Sequence, residues 1–352
     1  MNFLRWGHTM KLLRLSLALA ALTTLAGLAY VAQQAEPSGI SMVGAAQGFL
    51  DGLKPEQKAQ ATFPYDSEER TNWNFTPQQV PGTKKASRKG LPLEDMTAAQ
   101  KKAALALVKA GTSETGNVTA TTIMSLEAIL REQEKKGNMV RNPEWYFFTV
   151  FGTPAKAGKW GWRVEGHHLS LNFTMDGMQV VAATPFFFGA NPAEVKGGDK
   201  KGMRILASAE DLAKDLYNAL DEGQKQVALQ KNKFPEPGEK TAAPKVGAPV
   251  GLAAAKMTDT QRNLLLKLMK SYTDRMPPDV GTVEMRNAKD AGMDNVHFAF
   301  TGSTEPGMGR TYRVQGPTFV IEFLNVQADS GGNPNNHIHS AWRRIKGDFG
   351  LN

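Results

Sequence analysis

Apolar positions recur at helical spacing in two stretches whose beginnings read alike. Asp95-Met-Thr-Ala-Ala-Gln100 leads into Ala103, Leu105 and Val108. Lys256-Met-Thr-Asp-Thr-Gln261 leads into Leu264, Leu266 and Met269. Each start carries Thr as N-cap and Gln three positions on, the capping-box pattern that predicts a helix from that point. Upstream, Leu53-Lys-Pro-Glu-Gln57 and Leu220-Asp-Glu-Gly-Gln224 predict a second, similar pair of helix starts. Downstream the period changes to two, the signature of strands. Residues 146–154 parallel 296–303, and 162–173 parallel 312–323, with Arg163 matching Arg313 and Gly166 matching Gly316.

Helices followed by strands, stated twice, predict an α+β fold of two pseudo-repeats, each of N-terminal helices and a small antiparallel sheet, packed as one unit. The halves span residues 36–195 and 203–345. Asp176-Gly177 between alternating runs predicts a tight hairpin in the first half. The second half substitutes the long polar loop from Val326 to Asn335. Lys196–Lys201 and Lys231–Gly251, rich in Lys, Gly and Pro, read as surface connections. Residues 63–93, found only in the first half, lack the periodicity of core.

Composition changes this picture mainly at the N-terminus. Residues 1–32 run from basic (Arg5, Lys11, Arg14) through an apolar stretch to small residues, the order of a secretory signal or an N-terminal anchor. The mature chain is therefore expected outside the cytoplasm, in the periplasm or extracellular space, touching a membrane only through that segment. A complete lack of cysteine fits such a compartment and removes thiolate chemistry. Taking the three leader cations from 42 basic residues leaves 39 against 34 acidic ones. So small a surplus argues against a nucleic-acid partner, and Lys84, Lys85, Arg88 and Lys89 read as a solvated loop. There is no phosphate-binding Gly-rich loop, Gly-x-Ser-x-Gly elbow or His-Glu-x-x-His helix.

Of six histidines, His8 lies in the leader and the other five fall on predicted strands. His337 and His339 are two apart, so both imidazoles face one side. The apolar trios Leu169, Leu171, Phe173 and Phe319, Ile321, Phe323 mark the core faces, which leaves His168, Ser170, Asn172 and Glu322 on the opposite ones. With Asn325 opposite Asn336, Glu322 pairs with His339 and Leu324 with His337, and Ile338 and Trp342 turn to the core. His168, His337, His339 and Glu322 thus form a candidate ligand set for Zn, Cu or Fe. Without metal, Glu322 and His339 form an acid–base pair; a polar sheet face capped by histidines is the plainest alternative. His297 reads as a structural histidine near the core, and His167, facing the core, ranks below His168.

The segment Tyr65–Phe75 mixes charges with aromatics. Arg70, Trp73 and Phe75, with Asn172, are candidate contacts for a small molecule or glycan, although a loop that anchors itself by burying Trp73 and Phe75 would read the same. Two functions compete: an exported metal-binding protein acting as a hydrolase or oxidase, and a non-catalytic envelope binding protein. A structural scaffold without a cleft is the third.

Five motifs add a resemblance: Arg70-Thr-Asn-Trp-Asn-Phe-Thr-Pro77, Arg88-Lys-Gly-Leu-Pro92, Gly166-His-His-Leu-Ser-Leu-Asn-Phe173, the run from Thr184 to Val195, and Asn336-His-Ile-His-Ser-Ala-Trp-Arg343. In these the chain resembles an exported bacterial family classed only as a domain of unknown function, family 3500. The resemblance covers almost the whole mature chain and implies membership without an activity. Relatives tend to continue beyond the last motif, whereas this chain ends at Asn352, so a site element from such a tail is not expected.

Overall fold

The helices begin where their capping residues place them. In the computed structural model, which describes residues 37–351, Thr97 Oγ accepts from the Gln100 N–H and Gln100 Oε1 accepts from the Thr97 N–H at 2.8 Å, opening the helix Ala98–Ala110. Thr258 and Gln261 make the same reciprocal pair at the head of Asp259–Thr273. The upstream helices Pro55–Ala61 and Glu222–Ala228 are tied to these starts. Gln57 Nε2 donates to Asp95 O and exchanges amide hydrogen bonds with Gln100, and Gln224 Nε2 donates to Lys256 O and exchanges with Gln261. Eight α-helices are present among the described residues, and none is long and apolar enough to cross a membrane. The candidate leader, residues 1–32, lies outside the described residues.

Among the described residues twelve strands form one mixed sheet, in which β1 (Thr62–Phe63), β2 (Leu91–Pro92), β6 (Gln179–Ala182) and β8 (Leu252–Ala253) are short. Its centre is the antiparallel pairing of β7 (Phe186–Ala190) with β12 (His337–Arg344), in which His339 stands opposite Gly189. On one side follow β5 (Leu169–Asp176), β4 (Lys159–Gly166) and β3 (Tyr146–Gly152). On the other follow β11 (Phe319–Gln327), β10 (Arg310–Gln315) and β9 (His297–Gly302). The hairpin at Asp176-Gly177 is present, with Asp176 opposite Gln179. The fold is thus mixed α+β, with residues from both halves of the chain joined in a single sheet rather than in two separate small ones.

One face of the sheet meets the helices. Leu169, Leu171, Phe173, Phe319, Ile321, Phe323, Ile338 and Trp342 are all buried there, in one continuous core with Leu107, Leu126, Leu268 and Met269. The other face carries Arg163, Glu165, Arg313, Glu322 and Arg343, and it too is buried. The cover is two irregular segments. From 63–93, Trp73 and Phe75 pack on Phe187, Ala341 and Phe349 as a second, smaller apolar cluster. From 231–251, Phe234 lies under the Arg313 guanidinium at 4.6 Å, and Thr241 accepts from Arg343. The reading of 63–93 as outside the core does not hold, whereas 231–251 is a surface connection, mostly exposed, that also covers the sheet through Phe234 and Pro237. A segment laid flat on a sheet contributes single anchors rather than a repeating face, so its burial leaves no period in the sequence.

The two segments are clasped together. Glu239 accepts from the backbone N–H of Phe75 and Thr76 and from the Thr76 hydroxyl, Lys240 N–H donates to Trp73 O, and Trp73 Nε1 donates to Thr241 O.

Candidate metal centre

The site begins in a turn, where the sequence suggested a strand. Gly166 pairs with Leu169, so His167 and His168 are the two residues that close the β4–β5 hairpin. His168 takes φ 64°, a left-handed conformation that costs a residue with a Cβ about 1–2 kcal/mol. It is held there at both ends: its N–H donates to Phe75 O at 2.9 Å and its carbonyl accepts from Gly189 N–H at 2.8 Å. A Cβ at Gly189 would sit 2.8 Å from His168 Cδ2 and 2.7 Å from Ile338 O, so only glycine lets the imidazole lie against β7.

His337 and His339 share a face of β12, and the junction of β7 with β12 brings that face beneath the hairpin tip. The three Nε2 atoms converge: 2.7 Å from His168 to His337, and 3.1 Å both from His168 to His339 and from His337 to His339. His168 and His339 are buried and His337 half-buried. Neutral imidazoles cannot satisfy such a triangle, because each N–H points at one partner only. A cation at its centre would use all three lone pairs. Zn–N bonds of about 2.0–2.1 Å in tetrahedral geometry set the nitrogens roughly 3.3 Å apart, close to the spacing here. The group can therefore hold a metal ion.

The electrostatics favour the ligand form. Burial holds His168 well below the usual imidazole range, and the neighbouring histidines push the same way. Burial, reinforced by His339 and His167, brings His337 down to about 3, against a backbone hydrogen bond to Ala328 that opposes it. Both rings are neutral at physiological pH.

A carboxylate supports the third ring. Glu236 Oε2 lies 2.6 Å from His339 Nδ1, while Glu236 Oε1 accepts from Gln327 Nε2 at 2.6 Å. A carboxylate on the far nitrogen fixes the tautomer that presents Nε2 to a metal and raises its basicity. Glu236 was missed because it lies in the Pro- and Lys-rich stretch 231–251. The available signal was Phe234-Pro-Glu-Pro-Gly-Glu239, an aromatic and two acids among prolines. The three imidazoles open on a cavity of about 380 Å³ whose wall includes Phe75, Pro77, Glu236, Pro237 and Glu239.

Residues 36–351 match a family model described as a protein of unknown function, DUF3500. The chain belongs to that family. No curated protein and no solved structure matches it. The DUF3500 match takes in all three histidines, both covering segments and the carboxylate on His339.

Other residues singled out in this DUF3500 chain lie elsewhere. Glu322 stands opposite Ala341, not His339, and its carboxylate accepts from Arg313 Nη2 at 2.9 Å. Burial pushes its pKa up, with Arg313 and Arg343 opposing. The register of the β11–β12 hairpin differs from the one expected. Asn325 faces Ile338, a bulge intervenes before Gln327, and Asn325 Oδ1 accepts from His337 N–H. The offset from the expected register is two residues, and an even offset leaves every side chain on its face. Ile338 and Trp342 therefore remain in the core while Glu322 loses its histidine partner.

Of the four residues taken as ligand contacts, Phe75 lines the cavity, edge-on to His339 with ring centroids 4.9 Å apart. Trp73 is buried beneath it. Arg70 donates to Phe349 O at 2.7 Å with Tyr65 under its guanidinium, and Asn172 donates to Ser170 Oγ and Pro185 O. His167 also borders the cavity, hydrogen-bonded through Nδ1 to buried Glu127 and beside Arg141. His297 opens β9 half-buried, with Nδ1 against Asn295 O.

Proposed function

We propose that this protein is an exported metal-dependent enzyme, a hydrolase or an oxidase, with His168, His337 and His339 as ligands to Zn, Cu or Fe. One observation carries the reading: three imidazole Nε2 atoms within 3.1 Å of one another, two of them on rings that burial keeps neutral. Three protein ligands leave a fourth position for water or substrate, the arrangement of catalytic rather than structural zinc sites. That position would face the cavity, where a bound metal lowers the pKa of water or polarises a carbonyl, and a redox metal can instead exchange electrons. His339 and Glu236, rather than Glu322, are the histidine–carboxylate pair at this site.

Export rests on the basic, apolar, small order of residues 1–32 and the lack of cysteine. We also read the two halves as copies of one ancestral unit. The Gln57–Gln100 and Gln224–Gln261 networks and the strand order outward from β7 and β12 support that reading.

Protein purified from its exported location should carry near-stoichiometric transition metal by elemental analysis. His337→Ala with His339→Ala should abolish it and lower the Tm, since a ligand bound only by the folded state stabilises that state. Protein that binds neither Zn nor Cu and keeps its Tm on their addition would sink the reading, leaving a non-catalytic binding protein for a small molecule or glycan.

A further inference from the structure

Every charged side chain on the cavity wall other than histidine is acidic: Glu236 and Glu239, with no Lys or Arg among the lining residues. Both carboxylates are fixed in place, Glu236 by His339 and Gln327, and Glu239 by the backbone N–H groups of Phe75 and Thr76. The rest of the wall away from the imidazoles is Phe75, Pro77, Pro237, Thr76 and Gln327. Phe75, stacked on Phe187 at 4.0 Å and only 2 % exposed, is a fixed, buried floor beside His339.

We infer that the site takes an uncharged small molecule with a compact apolar body and one polar group that reaches the metal, and that it discriminates against phosphates and carboxylates. The inference rests on the metal reading. A dication held by three neutral rings would attract anions, but two fixed carboxylates on the same wall offset its charge, so an anionic substrate meets no net attraction. Such a substrate also finds no guanidinium or ammonium on the wall, since Arg141, beside His167, is held in a two-point pair by Glu134, although bidentate Arg contacts are the usual means of holding carboxylate and phosphate. A neutral molecule gains the apolar wall and loses nothing to the carboxylates. The cavity volume of about 380 Å³ lies at the small end of ligand pockets, suited to a single ring with a short substituent.

Benzamide and benzoate have nearly the same shape and differ in charge, so they isolate the effect. Full-length protein is loaded with Co(II), metal content is measured, and each probe is titrated against the visible spectrum of the bound cobalt. Benzamide should bind about tenfold or more tighter than benzoate, as like-charge juxtaposition requires. In Glu239→Gln, which keeps an acceptor for the Phe75 and Thr76 N–H groups but removes the charge, the preference should shrink severalfold through tighter benzoate binding. Failure to take up cobalt would refute the metal reading itself. Cobalt uptake with benzoate bound as tightly as benzamide, with neither probe bound, or with a preference indifferent to Glu239→Gln would overturn the inference while leaving the metal reading intact.

Discussion

His168 Nε2 stands 2.7 Å from His337 Nε2, although 169 residues separate the two along the chain. The contact depends on the centre of the sheet. His168 sits at the tip of the β4–β5 hairpin, β7 runs beside β5, and β12 adds to the other edge of β7. The candidate site is therefore assembled only when residues from both halves of the chain share one sheet.

Gly189 is the spacer in that assembly. Gly189→Ala should lower metal affinity about 10–100-fold, the range seen when a group that orients a ligand is lost, while all three histidines remain. The new methyl must displace either the His168 ring or the β12 backbone. Competition for zinc against a chromophoric chelator measures it; an unchanged affinity would mean that His168 is not held by this contact.

Glu236→Gln should also weaken metal binding, by about 10–100-fold, because the amide cannot supply the negative charge that raises the basicity of His339. Glu236 is part-exposed, and little change in metal-free Tm is expected. The same chelator competition, set beside a thermal melt of the metal-free protein, separates the two effects.

Glu322→Ala should do the reverse. Its carboxylate is paired with Arg313 inside the protein, and removing one partner of a buried pair leaves an uncompensated charge at a cost of about 3–5 kcal/mol. Denaturant unfolding should register that loss, while metal stoichiometry at saturating concentration stays that of the parent. A loss of metal without loss of stability would restore Glu322 as a ligand.

Stability of the metal-free protein should fall with acid. Burial brings the pKa of His337 down to about 3 in the folded state from the 6.5 of an ordinary imidazole, so between those values the unfolded chain binds the extra proton. The contribution is complete above pH 6.5 and is lost progressively as pH falls toward 3. His168, also held low, acts in the same direction. Glu322 and Asp348, which burial pushes up, act oppositely, so the quantity to measure is the difference between the parent and His337→Gln in denaturant midpoint across pH 4 to 7. A difference that does not change with pH would contradict the burial of His337.

The sequence by itself determined the local parts of this protein. Thr97 with Gln100, and Thr258 with Gln261, specify two helix starts within four residues each, because capping hydrogen bonds are made inside that span. The alternation in β5, β11 and β12 settled which side chains enter the core and put His337 and His339 on one face, since a strand's period of two survives any even change of register. Tertiary structure decided the rest. Whether Glu322 met His339 or Ala341 turned on a bulge beyond Asn325, whose side chain is occupied by His337 N–H and whose closure depends on the whole hairpin. His168 entered the site from a left-handed turn position that no Asn-Gly or Asp-Gly announced, held by Phe75 and Gly189 from distant segments. Glu236 came from a stretch without period, because a segment that covers a sheet face is placed by the surface it covers, and that surface exists only once the sheet has formed.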